Sequence, residues 1–161
     1  MRILGIDPGL HLTGYAVVEA KRFNPTLSAA GVIRLNPRMD ASKRLVELHQ
    51  QVAELLAEFK IDQMGVEQLY AHYKHPRTAI LMGHARGVIL LAAAQADVPI
   101  THLPSTLVKK MITGNGHAGK SQIQKSIMML CRLPKLPTPA DTADAIAVAW
   151  VLAGRITRLG K

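Results

Sequence analysis

The run Ile3-Leu4-Gly5-Ile6 carries the chain, apolar throughout, straight into Asp7, and Pro8-Gly9 reverses it at once. A buried strand that closes on an acid and a tight turn demands an early hairpin, so Arg2 to Asp7 pairs with a second strand around Thr13 to Glu19. A third strand near Leu27 to Leu35, rich in small and β-branched residues, completes a three-stranded antiparallel meander. From there the period changes. Asp40 or Ser42 caps an amphipathic helix to about Phe59, with Leu45, Leu48, Val52, Leu55 and Leu56 on its apolar face. Ile61 to Glu67 reads as a fourth strand, again ending in an acid, and a polar loop from Gln68 to His75 leads into a long helix, Pro76 to Ala96. Val98 to Leu103 is a fifth strand, followed by helices at Ser105 to Ile112 and Ala118 to Leu130, with Gly114-Asn115-Gly116 between them. Pro134, Pro137 and Pro139 stiffen the connection into a last helix, Ala140 to Arg158. Hairpins first and alternating helix and strand afterwards imply an α/β protein: one mixed sheet with helices on its faces, in a single domain spanning residues 1–161.

Charge is the first functional clue. The net charge is +9 and the chain holds 11 acidic residues, so a compact domain of this kind suits a polyanionic partner. The distribution is sharper than the total. After Glu67 the only acids are Asp97, Asp141 and Asp144, against a long series of lysines and arginines that runs to the end. The lone cysteine, Cys131, rules out an internal disulfide framework and suits a reducing cytoplasm. Asp7 comes too early for the apolar core of a signal peptide. His84 and Arg86 interrupt the apolar stretch from Ala79 to Ala96, and the stretch from Ala143 to Gly154 is shorter than the ~20 residues a spanning helix needs, so no membrane association is expected.

Asp7 and Glu67 each end an apolar strand, where ligands gather in α/β sheets. Asp141 and Asp144 stand at i and i+3 in the first turn of the last helix and project from one side. Singly, each has a structural explanation: Asp7 as a turn cap, the helix pair as complements to the helix dipole. Together they do not. Strands bearing Asp7 and Glu67 can lie side by side with the final helix starting against their ends, which converges four carboxylates in a chain otherwise short of acids. Bare, such a cluster repels itself and raises its own pKa values. Divalent cations relieve that, and hard oxygen donors favour Mg²⁺, with Mn²⁺ as a substitute, over zinc. Two such ions, about 3.5–4 Å apart, supply the chemistry of phosphodiester hydrolysis, and surrounding basic residues would neutralise flanking phosphates. Glu47, Glu54 and Glu58, on another face of the first helix, read as a solvated surface.

The same residues carry a family resemblance. Ile3 to Gly9 with Thr13-Gly14-Tyr15, Val66-Glu67-Gln68, Gly83-His84-Ala85-Arg86-Gly87-Val88, Val108-Lys109, Gly114-Asn115-Gly116, Lys120-Ser121-Gln122-Ile123-Gln124 and Asp141-Thr142-Ala143-Asp144-Ala145-Ile146-Ala147 follow one another at family spacing. In these, almost end to end, the chain resembles the RuvC family of bacterial Holliday junction resolvases. That resemblance implies a ribonuclease-H-like mixed sheet with helices on both faces, and a homodimer that nicks two opposing strands of a four-way DNA junction symmetrically. It implies Asp7, Glu67, Asp141 and Asp144 as metal ligands. Lys120, and Lys109 with it, would contact the phosphate near the cut or stabilise its developing charge. Tyr70 matches an aromatic that acts on bases close to the crossover, worth roughly 1–3 kcal/mol if it stacks. Lys74, Arg77, Arg86 and Lys110 are further candidate DNA contacts. The long helix would carry much of the dimer interface, and the branch-migration proteins RuvA and RuvB are the implied partners. The loop from Ala71 to Pro76 departs from the family pattern, which bears on substrate positioning.

Gly114 to Ser121 also matches the phosphate-loop pattern G-x-x-x-x-G-K-S. That motif requires a buried strand before it, whereas Leu107 to Ile112 reads as helix, so the glycines are expected to let a basic loop approach DNA backbone. His72 and His75 make no zinc site without further ligands, and Cys131, Met128 and Met129 read as packing residues. Rival classes are an actin-like phosphotransferase, for which the chain lacks a second domain, a non-catalytic junction-binding protein, and a ribonuclease H acting on hybrids.

Overall fold

The computed structural model describes residues 1–9, 11–21, 24–68 and 76–159. Its centre is a five-stranded sheet in the order β3-β2-β1-β4-β5, with β1 at Arg2–Asp7, β2 at Leu12–Glu19, β3 at Thr26–Arg34, β4 at Gln63–Glu67 and β5 at Ile100–Leu103. The first three strands form the antiparallel meander, and β4 and β5 then add in parallel on the far side of β1. Alternation along β1 sorts its side chains. Ile3 faces one hydrophobic cluster and Leu4 and Ile6 face the other, as befits a central strand covered on both sides.

Helix α1, Ala41–Glu58, begins at Asp40, whose carboxylate accepts the Ser42 backbone N–H, and buries Leu48, Val52 and Leu56. With α2, Pro76–Gln95, which inserts Ala85, Ile89, Ala92 and Ala93, it covers the face carrying Leu4, Ile6, Met64 and Val66. By length and composition alone, Arg77–Gln95 is apolar enough to cross a membrane; in the fold it lies along α1 and the sheet, with Ile80 59% and Leu91 51% exposed on its outer side. The opposite face is covered by α5, Ala140–Leu159, against which α3, Ser105–Thr113, and α4, Lys120–Leu130, pack.

Several details differ from the sequence expectation. The fourth strand begins at Gln63 and not Ile61, whose N–H is bonded to the Leu56 carbonyl at the end of α1. The fifth strand begins at Ile100, because Val98 donates its N–H to the Ala93 carbonyl and so still belongs to the end of α2. Helix α4 begins at Lys120 after the N-cap Gly119, leaving Ala118 as a buried loop residue. Met129 is not a packing residue within the chain: it lies on the outer face of α4 and is 67% exposed. Cys131 closes α4, packs on the core, and its thiol is pushed up to about 11 by burial.

Candidate active site

The pairing of β1 and β4 runs in parallel to Ile6↔Val66, so Asp7 and Glu67, the next residue on each, leave the sheet at the same end. Behind Asp7 the turn is held by Thr13, a fully buried residue whose hydroxyl accepts the Gly9 N–H at 3.4 Å and donates to the Gly9 carbonyl at 3.2 Å.

What brings the last helix to this point is the absence of two side chains. Asp7 pairs across β2 with Gly14, and a Cβ on Gly14 would overlap the Asp141 carbonyl oxygen. A Cβ on Gly5 would overlap the Ala145 carbonyl and stand 2.5 Å from the Ala149 nitrogen. Helix α5 therefore lies directly on sheet backbone. The face it turns to the sheet is small to match: Ala145 and Ala149, one turn apart, are the residues that meet Gly5, and both are buried. Seated that close, its first turn projects Asp141 and Asp144 into the same cavity as Asp7 and Glu67.

That cavity has a volume of about 480 Å³, and all four carboxylates line it together with Lys109 from α3 and Lys120 from the first position of α4. Ser105, His11, Thr78 and Met82 are among the other residues of its walls. No sequence pattern marks these four, which arrive from a hairpin turn and two helix starts that only the fold brings together.

The electrostatics are those of a site deficient in positive charge. Asp7 is pushed up to about 8, first by burial and then by repulsion from Glu67, Asp144 and Asp141, with Lys120 opposing. Asp144 is raised to about 6 by burial and by Glu67; Lys120 and Lys109 hold it down, and Asp141 adds to the rise. Among the described residues no three acid, histidine or cysteine side chains already converge on one point at ligating distance. The carboxylates surround the cavity instead of closing it, an arrangement that leaves positions for water and phosphate oxygens, as Mg²⁺-type ions require. An all-oxygen donor set, repelling itself and partly dehydrated, fits a hard divalent cation.

The other candidate DNA contacts separate. Arg77 is exposed at the start of α2, and Lys110 is exposed but does not line the cavity. Arg86 turns inward: its guanidinium donates to the Glu67 backbone carbonyl and, at 2.6 Å, to Nδ1 of His102. Tyr70, Lys74, His72 and His75 lie outside the described residues. The phosphate-loop reading fails as expected. The element before Gly114 is helix α3, and Gly114 is its left-handed C-cap at φ 79°.

Residues 3–151 match the family model of crossover junction endodeoxyribonuclease RuvC. The chain is 52% identical over 147 residues to the crossover junction endodeoxyribonuclease RuvC of Rhodopirellula baltica, an alignment covering 91% of this chain and 83% of that one. It is 44% identical to the RuvC of Thermosipho melanesiensis, covering 95% and 97%. Among solved structures it superposes on Thermus thermophilus RuvC in complex with Holliday junction substrate with a TM-score of 0.90 at 31% identity, covering 99% of this chain and 96% of that one.

Proposed function

We infer the activity from one premise: this chain belongs to the RuvC family of crossover junction endodeoxyribonucleases, and it is an endonuclease that resolves Holliday junctions. Its family is divalent-metal dependent. The finer reading we propose is that Asp7, Glu67, Asp141 and Asp144 hold two Mg²⁺ ions, with Mn²⁺ able to replace them. The observation that carries it is the gathering of all four carboxylates around one cavity with Lys109 and Lys120. Ions bound there supply charge neutralisation and water activation for hydrolysis of a phosphodiester.

The chain's own groups do the rest. Asp7 and Glu67 sit on adjacent strand ends in the centre of the sheet, so the cut is referenced to the best-buried part of the fold. Asp141 and Asp144 share one helical turn. Lys120, at the opening of α4, faces the acids and neutralises the phosphate as charge builds on it. Lys109 performs the same service from α3. The products are a 5′-phosphate and a 3′-hydroxyl, ends that a ligase can rejoin.

Symmetric cutting of two strands calls for two sites. The outer side of α2 presents Ile80 and Leu91, with the exposed Gly83 and Gly87 between them, and we assign this face to the homodimer. RuvA and RuvB are the proposed partners, and the cytoplasm the proposed location. Tyr70 and Lys74 would complete the DNA contacts from the stretch of chain that follows β4.

The test is cleavage of an end-labelled synthetic four-way junction, with and without Mg²⁺, beside linear duplex and RNA–DNA hybrid. Paired symmetric nicks on the junction alone, only with metal, are expected. D7N should bind the junction and leave it intact. Cleavage of the hybrid in preference to the junction, or full activity in D7N, would overturn the assignment.

A further inference from the structure

The motif Gly83-His84-Ala85-Arg86-Gly87 contains a charged residue that the cleavage reaction itself does not use. Arg86 lies on α2 between the buried Ala85 and Ile89, and its side chain is itself part-buried. Its guanidinium donates to two acceptors from different strands: the backbone carbonyl of Glu67 at the end of β4, and Nδ1 of His102 on β5. A guanidinium has no acceptor, so His102 must receive on Nδ1 and carry its own proton on Nε2. Burial alone draws the Arg86 pKa down, and the Glu67 charge works against that fall.

The geometry points to Arg86 as a positioning residue that fixes Glu67, with His102 as its anchor. Three observations lead there. Glu67 is the last residue of β4, and beyond its pairing with Leu103 the only backbone bond at that end, among the described residues, is from the Gln68 N–H to the Leu103 carbonyl at 2.8 Å. Its own carbonyl is bonded by a side chain, not by the sheet. The guanidinium is planar and pre-organised, so one residue can tie the tip of β4 to both β5 and α2, which a flexible ammonium cannot do. The direction in which the Glu67 carboxylate leaves the backbone is thereby set from the helix that covers the sheet. Groups that orient a metal-binding side chain in this way are worth about 10–100-fold in metal affinity or activity when removed. This inference rests on the assignment of Glu67 as a ligand, so the test includes a readout that needs no catalysis.

Four variants decide it: R86A, R86K, H102F and H102Q. The amide oxygen introduced by H102Q can accept from Arg86 where a phenyl ring cannot, so H102Q should behave like the parent and H102F like R86K. In metal-free protein, amide exchange at Gln68 followed by NMR should rise about tenfold or more in R86A, consistent with an end frayed to low local stability, while Leu4 and Met64 stay protected. In cleavage assays, the Mg²⁺ concentration for half-maximal rate should rise about 10–100-fold in R86A, less in H102F and R86K. Junction affinity in EDTA, by mobility shift, should stay unchanged. Weakened metal-free junction binding in R86A, with exchange at Gln68 and metal requirement as in the parent, would make Arg86 a DNA contact instead. Equal behaviour of H102F and H102Q would remove His102 from the device even if R86A failed to fold. If the parent chain leaves junctions uncut, the proposed activity falls, and the exchange measurement still decides the anchor.

Discussion

Replacing Asp7 with asparagine should make the metal-free protein more stable while abolishing cleavage. In the fold the Asp7 carboxyl titrates at about 8 against an ordinary 3.8, with burial as the leading cause and Glu67, Asp144 and Asp141 adding to it. An acid whose pKa is raised on folding holds more protons in the native state than in the unfolded chain, so stability falls as pH climbs between the two values. The contribution is fully present below about pH 4 and is lost progressively until about pH 8, above which the curve flattens. At about 1.36 kcal/mol per pH unit, the span from 3.8 to neutrality amounts to roughly 4 kcal/mol at pH 7. An asparagine has no charge to bury, so the D7N variant should recover most of that, rising by about 2–4 °C per kcal/mol in melting temperature for a domain of this size. Urea unfolding in EDTA at matched protomer concentration, from about pH 3.5 to 8.5 to span the predicted transition, measures it. The parent and D7N curves should converge at low pH and separate steadily towards pH 8. Mg²⁺ should then stabilise the parent far more than D7N, since only the parent has the charge that the cation relieves. Parallel curves across the whole range would show that Asp7 is not the strained group, and the account of the site as a self-repelling cluster would fail with it.

Three further outcomes follow from the same geometry. G14A places a methyl group on the Asp141 carbonyl, which is backbone and cannot rotate away; overpacking of this kind costs about 1–3 kcal/mol, and cleavage should fall more steeply than stability because the first turn of α5 is displaced, as paired melting and rate measurements would reveal. K120A removes the cation that faces both Asp7 and Asp144; a drop of about 10²–10³ in cleavage rate with near-normal junction affinity is expected if it stabilises developing charge, and a loss of binding alone would refute that role. Cys131, with its thiol pushed up to about 11 by burial, should resist iodoacetamide at pH 8 in the native protein and react on addition of urea, because alkylation requires the thiolate.

The acids are legible in the sequence because each carries its own local signature. Asp7 and Glu67 end apolar strands, and Asp141 and Asp144 are spaced to share a helix face. The meander is legible for the same reason, since alternation and a Pro-Gly turn are local. The C-terminal ends of the helices are legible to within a residue, although Lys60, Asp97 and Arg132, which follow α1, α2 and α4, take positive φ, a conformation that usually calls for glycine; the starts of β4, β5 and α4 are harder. The Val98 N–H, still bonded to the Ala93 carbonyl, is what delays β5 to Ile100. Met129 misleads because an apolar residue in an apolar run reads as core, although two steps around α4 from the buried Ile127 turn it outwards.

The deeper gap concerns residues whose importance lies in a partner far along the chain. Gly5 and Gly14 look like ordinary strand glycines until α5 is laid on them, when they prove to decide how near Asp141 and Asp144 come to Asp7. Arg86 reads as one more basic residue in a basic protein, yet its donors are engaged by Glu67, 19 positions earlier, and His102, 16 positions later. Both cases follow from one physical demand. Four carboxylates around one cavity repel each other, so nothing in their own interactions would draw them together in the free chain. The convergence has to be imposed by packing: an alanine-rich helix pressed onto glycine backbone from one face, and a guanidinium reaching to the strand end from the other. The acids carry local patterns of their own, and the residues that hold them against their own repulsion are apolar, small or turned inward, which is why the sequence displays the first set and conceals the second.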